Sequence, residues 1–160
     1  MICHPHGVWP VQERKRKQEK SFMTNAELIL EAKKAREHSY SPYSHYRVGA
    51  ALVTKSGKIY HGCNIENAAY GPTNCAERTA FFKAVYDGER EFAKIAIVGG
   101  PEGTDANDTC APCGVCRQVM MEFCNPKTFK IILADGKEKP LEFTLEDLLP
   151  YGFGPDHLNK

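Results

Sequence analysis

Two short cysteine motifs constrain this chain more than any other feature of its sequence. The first is Cys75-Ala76-Glu77, and the second is Pro112-Cys113-Gly114-Val115-Cys116. A structural zinc ion usually takes four protein ligands, whereas a catalytic zinc ion takes three and leaves the fourth position to water. Three thiols beside an acid that need not be a ligand therefore predict a zinc site that activates water.

Length and charge narrow the class of protein. A chain of 160 residues suffices for one domain with a full core and is short for two. The formal net charge of +1 provides no overall field to attract nucleic acid or an anionic membrane. No apolar run approaches the roughly 20 residues that a membrane span needs, and Met1–His6 lack the order of a secretory signal. Seven cysteines, an odd number, favour reduced thiols and a cytoplasmic location over a disulfide framework.

Residues 1–22 differ in composition from the rest of the chain. They contain Pro5, Pro10 and the basic run Arg14–Lys20, with little periodic apolar content. A segment of this kind is typically solvated and disordered, although a basic tail also suits contact with nucleic acid. We therefore expect a disordered extension over residues 1–22 and one folded domain over residues 23–160, with Met23 as an alternative initiation site.

Helix and strand signals alternate along the folded part. Thr24-Asn25-Ala26-Glu27 is a capping box that predicts a helix ending at Tyr40-Ser41-Pro42. Apolar runs predict strands over residues 48–53, 59–63, 93–98, 129–134 and 141–143. Helical spacing predicts helices over 75–87 and 114–123, and a second capping box at Thr144 predicts a short helix over 144–149. Residues 99–112, rich in Gly, Asp, Asn and Thr, predict a loop. A hairpin followed by alternating helices and strands predicts an α/β fold. Its three layers, α/β/α, would contain a mixed, roughly five-stranded sheet.

The predicted helices place all three thiols near helix N-termini. Cys75 opens one helix, and the Cys113/Cys116 pair opens the next. The positive end of a helix stabilises thiolates, and it withdraws charge from a zinc ion that three thiolates would otherwise make electron-rich. Arg78 could donate hydrogen bonds to the same thiolates. Its alternative role is that of a surface cation on the helix.

Glu77 is the candidate proton carrier. A carboxylate beside zinc can take a proton from water and deliver it elsewhere, which is general acid–base catalysis. The alternative is an exposed glutamate that the helix dipole favours in the first turn. The flanking thiols favour the catalytic interpretation.

Together these motifs resemble the small, homotetrameric, zinc-dependent cytidine deaminases that act on free nucleosides. The resemblance extends from about Ala26 to Leu158 and includes the cysteine motifs described above. Its other segments are Tyr40-Ser41-Pro42-Tyr43-Ser44, Val48-Gly49-Ala50-Ala51-Leu52, Gly62-Cys63-Asn64-Ile65-Glu66-Asn67-Ala68 and Leu148-Leu149-Pro150. Any one of these segments is moderately specific, whereas the set is highly specific.

The resemblance implies an activity, a cofactor and an assembly. The reaction is hydrolysis of cytidine and 2′-deoxycytidine to uridine and 2′-deoxyuridine plus ammonia, in pyrimidine salvage. One zinc ion per chain is held by Cys75, Cys113 and Cys116. Glu77 also protonates the pyrimidine N3 while the water oxygen adds to C4. The active unit is a homotetramer with shared active sites.

The resemblance also implies a set of substrate contacts. Asn64 and Glu66 contact the ribose 3′-hydroxyl, which suits an amide and a carboxylate because that hydroxyl both donates and accepts. Phe153, between two glycines, stacks on the base of a neighbouring subunit. The remaining implied contacts are Ala68 and Tyr70 near the 5′-hydroxyl, across a subunit boundary, and Tyr46 and Ala76 in the pocket.

The chain departs from the family pattern at three positions near this pocket. Tyr46 stands where the family usually has Phe, Arg47 replaces a smaller or neutral residue, and Cys110 stands where Ser is common. Cys110 creates a Cys-x-x-Cys-x-x-Cys run similar to part of an iron–sulfur motif. Cys124 follows at the wrong spacing for a cluster, so zinc remains the predicted metal.

Two other functions remain open at this stage. A deaminase for a cytosine-nucleoside antibiotic of the blasticidin type shares the cysteines and the glutamate, although Asn64-Ile65-Glu66-Asn67 favours an ordinary ribose. A structural zinc module would need a fourth ligand, with Cys110 or His61 available, and would not use Glu77. We expect no activity on nucleic acid, because residues 23–160 have no long basic and aromatic stripe.

Overall fold

The computed structural model describes residues 23–106, 108–136 and 139–158. The predicted N-terminal extension, residues 1–22, lies outside the described residues. Within the described ranges no helix has the length and apolar character of a membrane span. The elements are α1 (Asn25–Arg36), β1 (Tyr46–Thr54), β2 (Ile59–Cys63), α2 (Ala76–Tyr86), β3 (Phe92–Pro101), α3 (Gly114–Phe123), β4 (Lys130–Leu133), β5 (Leu141–Thr144) and α4 (Leu145–Leu148), followed by a short 3₁₀ turn, Pro155–His157.

The described strands form one mixed sheet in the order β2-β1-β3-β4-β5. Strand β1 pairs antiparallel with both β2 and β3, which makes the predicted hairpin the first edge of the sheet. Strand β3 pairs parallel with β4, and β5 returns antiparallel at the other edge. The prediction of a mixed, five-stranded sheet is confirmed.

Alternate residues of the central strands pack against helices on opposite faces of the sheet. Helix α1 covers one face, and α2, α3 and α4 cover the other. The first core comprises Leu28, Ile29 and Ala32 of α1 with Ala51, Val53, Ala96, Val98 and Ile132. The second comprises Ala80, Phe81, Met120 and Leu145 of the helices with Ala50, Leu52, Ile95, Ile97 and Ile131. This period-two alternation in buried strands gives the predicted three layers.

Two glycines allow helices to lie directly on the hairpin. A Cβ atom on Gly49 would stand 2.1 Å from the carbonyl oxygen of Ala32 in α1. A Cβ atom on Gly62 would stand 2.1 Å from the carbonyl oxygen of Ala76, at the N-terminus of α2. The second contact fixes the helix end that carries the Cys75-Ala76-Glu77 motif.

Two element boundaries differ by three residues or more from those predicted. Helix α1 ends at Arg36 rather than at Tyr40, because Tyr40 pairs with Ile65 and its N–H donates to the carbonyl of Asn64. Strand β3 continues through Gly99 and Gly100 to Pro101, where the sequence indicates a loop. In both cases the boundary depends on a partner that is distant in sequence.

Candidate metal centre and active site

The fold brings the three predicted thiols together. Cys75 is the N-cap residue of α2, Cys113 is the N-cap residue of α3, and Cys116 lies in the first turn of α3. The Sγ atoms of Cys75 and Cys113 are 3.8 Å apart, and those of Cys113 and Cys116 are 3.6 Å apart. All three Sγ atoms lie within 4.8 Å of one another. Two helix N-termini therefore meet at one cluster of sulfur atoms.

The spacing of the sulfur atoms fits a tetrahedral zinc ion. With Zn–S bonds of about 2.3 Å, neighbouring ligands of a tetrahedron lie about 3.8 Å apart, close to the distances just given. Neither cap residue, Cys75 or Cys113, uses its thiol to bond a backbone N–H of its own helix. The sulfur atoms are therefore available as ligands, and soft thiolates suit zinc.

Neither residue considered as a fourth ligand joins this cluster. Among the described residues the group contains three members, and Cys110 and His61 are not among them. Cys110 hydrogen-bonds to the side chain of Tyr46, and His61 Nε2 lies 2.7 Å from the Glu31 carboxylate. Three ligands leave one tetrahedral position for water, which is the arrangement of a catalytic site.

The surroundings of the thiols favour the thiolate form at one of them. The hydrogen bond from Cys116, followed by that from Arg78, lowers the pKa of the Cys75 thiol to about 5. The same contact with Cys75, together with burial, raises the pKa of Cys116. Arg78 Nη2 lies 3.6 Å from Cys75 Sγ and donates to the carbonyl of Thr73 at 2.9 Å. Arg78 thus packs against the thiols instead of extending from the surface.

Glu77 is buried beside the cluster. Its exposed fraction is 4%, so it is not the exposed first-turn glutamate of the alternative interpretation. Burial raises the pKa of its carboxyl to about 7, the charge of Cys75 adds to this effect, and a hydrogen bond from its own backbone N–H opposes it. A carboxyl group with a pKa near neutrality can both accept and return a proton.

A short backbone ladder joins the predicted ribose contacts to the metal cluster. Ile65 and Asn74 exchange N–H···O bonds of 2.9 Å in both directions, and Asn74 immediately precedes Cys75. Asn64 and Glu66, on either side of Ile65, therefore lie on the segment that is paired with Asn74, the residue before the first thiol.

The side chains of Asn64 and Glu66 are both held by the loop and strand before β2. Asn64 Oδ1 accepts from the N–H of Val48 at 2.8 Å, and Nδ2 donates to the carbonyl of Tyr46 at 2.9 Å. One hydrogen of the Asn64 amide then remains for a ligand, since the described residues take only the other. Glu66 Oε2 accepts from the N–H groups of Tyr43 at 2.9 Å and Ser44 at 3.2 Å.

Glu66 lines an open cleft of about 300 Å³. The cleft also contains Tyr43 and Tyr70, whose rings meet edge to face at 6.1 Å. Tyr70 is 72% exposed and has a left-handed backbone with φ of 54°, and Ala68 beside it is also exposed. Such a conformation is uncommon for a bulky residue, and it presents the Tyr70 side chain at the rim.

Two of the three departures from the family pattern, Tyr46 and Cys110, interact with each other near Glu77. The hydroxyl of Tyr46 hydrogen-bonds with Cys110, and burial raises the pKa of both groups, that of Cys110 to about 11. Gly99 makes room for the pair, because a Cβ atom there would stand 2.7 Å from Cys110 Sγ. Arg47 instead forms an ion pair with Glu102.

Phe153 presents an exposed ring near the C-terminal end of the described residues. Its ring is 56% exposed and stacks on His157 with ring centroids 5.0 Å apart. Its backbone carbonyl accepts from Gln118 Nε2 of α3 at 2.9 Å. The stacking of Phe153 on the base of a neighbouring subunit stays a prediction.

Two polar residues at the site were not predicted from the sequence. Asn74 and Thr79 flank the Cys75-Ala76-Glu77 motif, and their side chains hydrogen-bond to each other at 3.0 Å. One local signal was present, because a helical threonine often bonds to the carbonyl four residues before it, here that of Cys75. The bonds of Thr79 to Cys63 and Asn74, which lie outside the helix, could not be predicted without the fold.

The sequence matches a known family of zinc-binding enzymes over most of its length. The model of the cytidine and deoxycytidylate deaminase zinc-binding region matches residues 22–132. The chain therefore belongs to the cytidine and deoxycytidylate deaminase family.

Within that family the chain is similar to several proteins named cytidine deaminase. It is 53% identical to that of Sporosarcina psychrophila, over 82% of this chain and 93% of the relative. It is 48% identical to that of Halalkalibacterium halodurans, over 82% and 96%. The crystal structure of cytidine deaminase from Burkholderia pseudomallei matches with a TM-score of 0.73 and 51% identity, over 82% of this chain and 100% of that one. The enzyme from Mycobacterium tuberculosis matches with a TM-score of 0.67 and 35% identity, over 79% and 94%.

Proposed function

We propose that this chain is a hydrolase that converts cytidine and 2′-deoxycytidine to uridine and 2′-deoxyuridine with release of ammonia. The observation that carries the proposal is the convergence of three thiols at two helix N-termini beside the buried carboxyl of Glu77. Relatives with about half of their residues identical bear the name of this activity. The catalytic unit is residues 23–160, and we expect the protein in the cytoplasm.

One zinc ion per chain is the proposed cofactor, with Cys75, Cys113 and Cys116 as its ligands. When bound there, zinc supplies Lewis acidity that makes water a better nucleophile near neutral pH. The two helix N-termini at the thiols and the hydrogen bond from Arg78 to Cys75 withdraw negative charge from the ligands, which keeps the site from being too electron-rich for this purpose.

Glu77 carries the protons of the reaction. It accepts a proton from the attacking water and delivers one to N3 of the pyrimidine, which makes C4 more electrophilic. A further transfer assists departure of the amino group as ammonia. A pKa of about 7 suits a group that must gain and lose a proton in each cycle.

The nucleoside is held by contacts on both sides of the reacting ring. The free amide hydrogen of Asn64 and the carboxylate of Glu66 bind the ribose 3′-hydroxyl, and the open cleft at Glu66 supports this assignment. In a homotetramer the exposed Phe153 ring covers the base of a neighbouring subunit. The other proposed contacts are Ala68 and Tyr70 at the 5′-hydroxyl and Tyr46 and Ala76 in the base pocket.

A turnover assay on the purified protein tests this proposal. We expect loss of cytidine absorbance with stoichiometric release of ammonia, and the same for 2′-deoxycytidine. Blasticidin S and single-stranded DNA are the matched alternative substrates, and we expect negligible conversion of either. Zinc-loaded protein that leaves cytidine unchanged contradicts the proposal, and efficient deamination of the DNA that falls steeply with added salt contradicts the free-nucleoside substrate.

A further inference from the structure

A hydrogen-bonded bridge lies between the two halves of the proposed site. Asn74 Nδ2 donates to Thr79 Oγ1 at 3.0 Å. The Thr79 hydroxyl lies 3.0 Å from the carbonyl oxygen of Cys63 and 3.2 Å from that of Cys75, and its one hydrogen serves these two acceptors. The Thr79 side chain of α2 therefore contacts the end of β2, the Asn74 side chain and the backbone carbonyl of Cys75, the residue that carries the first thiol.

The bridge joins segments that the chain alone connects only through a long loop. Strand β2 ends at Cys63, and the next residues carry the proposed sugar contacts, Asn64 and Glu66. Turns then occupy the chain before it reaches Asn74. The backbone pair of Ile65 with Asn74 is one attachment between these segments, and the Thr79 hydroxyl is a second attachment from the other side.

Helix α2 makes this second attachment relevant to catalysis. The same helix carries Glu77 in its first turn and Thr79 two residues later. A bond from Thr79 to the Cys63 carbonyl thus relates the position of the proton carrier to the segment that binds the sugar. Reacting groups must be placed to within a fraction of an ångström, since a displacement of about 1 Å can lower a rate about 100-fold.

We propose that Asn74 and Thr79 are a positioning pair that sets the distance between the sugar contacts and the reacting centre. The inference rests on the proposed function, because it assumes a nucleoside held at both ends. Asn74 orients the Thr79 hydroxyl by donating to its oxygen, which directs the hydroxyl hydrogen toward the two carbonyls. The pair acts through Asn64 and Glu66 and contacts no substrate itself.

The test compares cytidine with 3′-deoxycytidine, which lacks only the hydroxyl that Asn64 and Glu66 bind. In the unaltered protein the kcat/KM for cytidine should exceed that for 3′-deoxycytidine about tenfold or more, as expected for a hydrogen bond to a charged group. In Thr79→Val, which keeps the shape and removes the hydroxyl, this ratio should fall to about threefold or less because the two ends of the site are no longer in register. Thr79→Ser restores the hydroxyl and should restore the ratio.

Two further variants separate positioning from general stability. Asn74→Ala should lower the ratio as Thr79→Val does, and the double variant should lower it no further, because both changes break one bridge. Thr54→Val is the matched control. It removes a fully buried hydroxyl that accepts from the N–H of Lys58 at 3.0 Å. Thr54 is the last residue of β1, whereas the partners of Asn64 lie at the start of that strand. We expect it to lower the melting temperature and leave the ratio unchanged.

Different results would overturn the positioning role of Thr79 and the proposed deaminase activity. Equal loss of activity on both nucleosides in Thr79→Val, or loss of its zinc, overturns the positioning role while cytidine turnover by the unaltered protein stands. An unaltered protein that turns over both nucleosides equally well also overturns it. An unaltered, zinc-loaded protein that turns over neither overturns the proposed function itself.

Discussion

At the residue scale, the carboxyl of Glu77 is the group whose chemistry depends most on its surroundings. It is buried, and burial raises its pKa to about 7, so an amide of the same shape tests the proton transfer alone. Glu77→Gln should keep the fold and the zinc and lower kcat for cytidine by about 10²–10⁴-fold, or more if the residue serves several transfers. Steady-state kinetics with zinc analysis of the same sample check this.

An exposed glutamate provides the control for that substitution. Glu146, in α4, is exposed, so Glu146→Gln should change neither kcat nor zinc content. Near-normal turnover by Glu77→Gln would mean that another group carries the proton.

Cys113 offers a second test at this scale. Its sulfur lies within 4 Å of each of the other two thiols. Cys113→Ala should therefore reduce bound zinc from one equivalent to near zero, because two thiolates hold the ion much more weakly than three. Elemental analysis of dialysed protein measures the change.

Cys124 is the matched control, since it is a buried thiol of the core outside the cluster. Cys124→Ala should lower stability and leave the zinc content at one equivalent. Iron and labile sulfide in the unaltered protein, or full zinc content in Cys113→Ala, would exclude the proposed ligand set.

At the element scale, the position of α2 depends on the absence of a side chain in β2. A Cβ atom on Gly62 would stand 2.1 Å from the Ala76 carbonyl oxygen and 2.5 Å from the Ala80 nitrogen, so α2 must shift in Gly62→Ala. Overpacking of this kind typically costs about 1–3 kcal/mol of unfolding free energy. The shift also displaces Glu77, so we expect cytidine turnover to fall together with the melting temperature.

Gly71→Ala provides the comparison for this prediction. Its added Cβ atom would meet the nearest atom at 3.8 Å, an ordinary contact, so the melting temperature should change little. A Gly62→Ala protein with unaltered melting temperature and turnover would show that the helix and strand separate without cost.

Local signals were sufficient to predict the elements and their order. The capping boxes at Thr24 and Thr144 are both present, and they begin α1 and α4 as the sequence indicates. The end of α1 was not predictable, because it depends on the pairing of Tyr40 with Ile65. Likewise, the extension of β3 depends on its pairing with β1 and on the buried Arg36 guanidinium, which donates to the carbonyls of Gly100 and Pro101.

The candidate site also has a part that local sequence signals predict and a part that depends on distant contacts. The spacing of the cysteines and their positions at helix N-termini predicted a cluster, and the fold brings those thiols together. The hydrogen-bond partners of Asn64 lie 16 and 18 residues away in β1, and the bridge of Thr79 to Cys63 spans 16 residues. Contacts of that range depend on the register of the sheet, which the sequence signals do not specify.

At the scale of the whole molecule, one chain leaves the proposed nucleoside site open. Tyr70 and Phe153 are more than half exposed, and Phe153 stacks on His157 within its own chain. Large exposed aromatic rings are typical of surfaces that another chain covers. A homotetramer in which each site borrows Phe153 from a neighbour accounts for this exposure and is the assembly that we propose.

Mixed oligomers test the shared site directly. Phe153→Ala should weaken binding of substrate or transition state by about 1–3 kcal/mol, the usual value of stacking on one base. Glu77→Gln should be nearly inactive. When the two proteins are dissociated, mixed and reassembled, some hybrid sites combine an intact Glu77 from one chain with an intact Phe153 from another. Turnover of the mixture should therefore exceed the sum of the turnover of the two separate proteins.

The control is each variant taken alone through the same dissociation and reassembly. A fully active monomer by light scattering would refute the shared site, and so would the absence of a gain in hybrids shown to have formed.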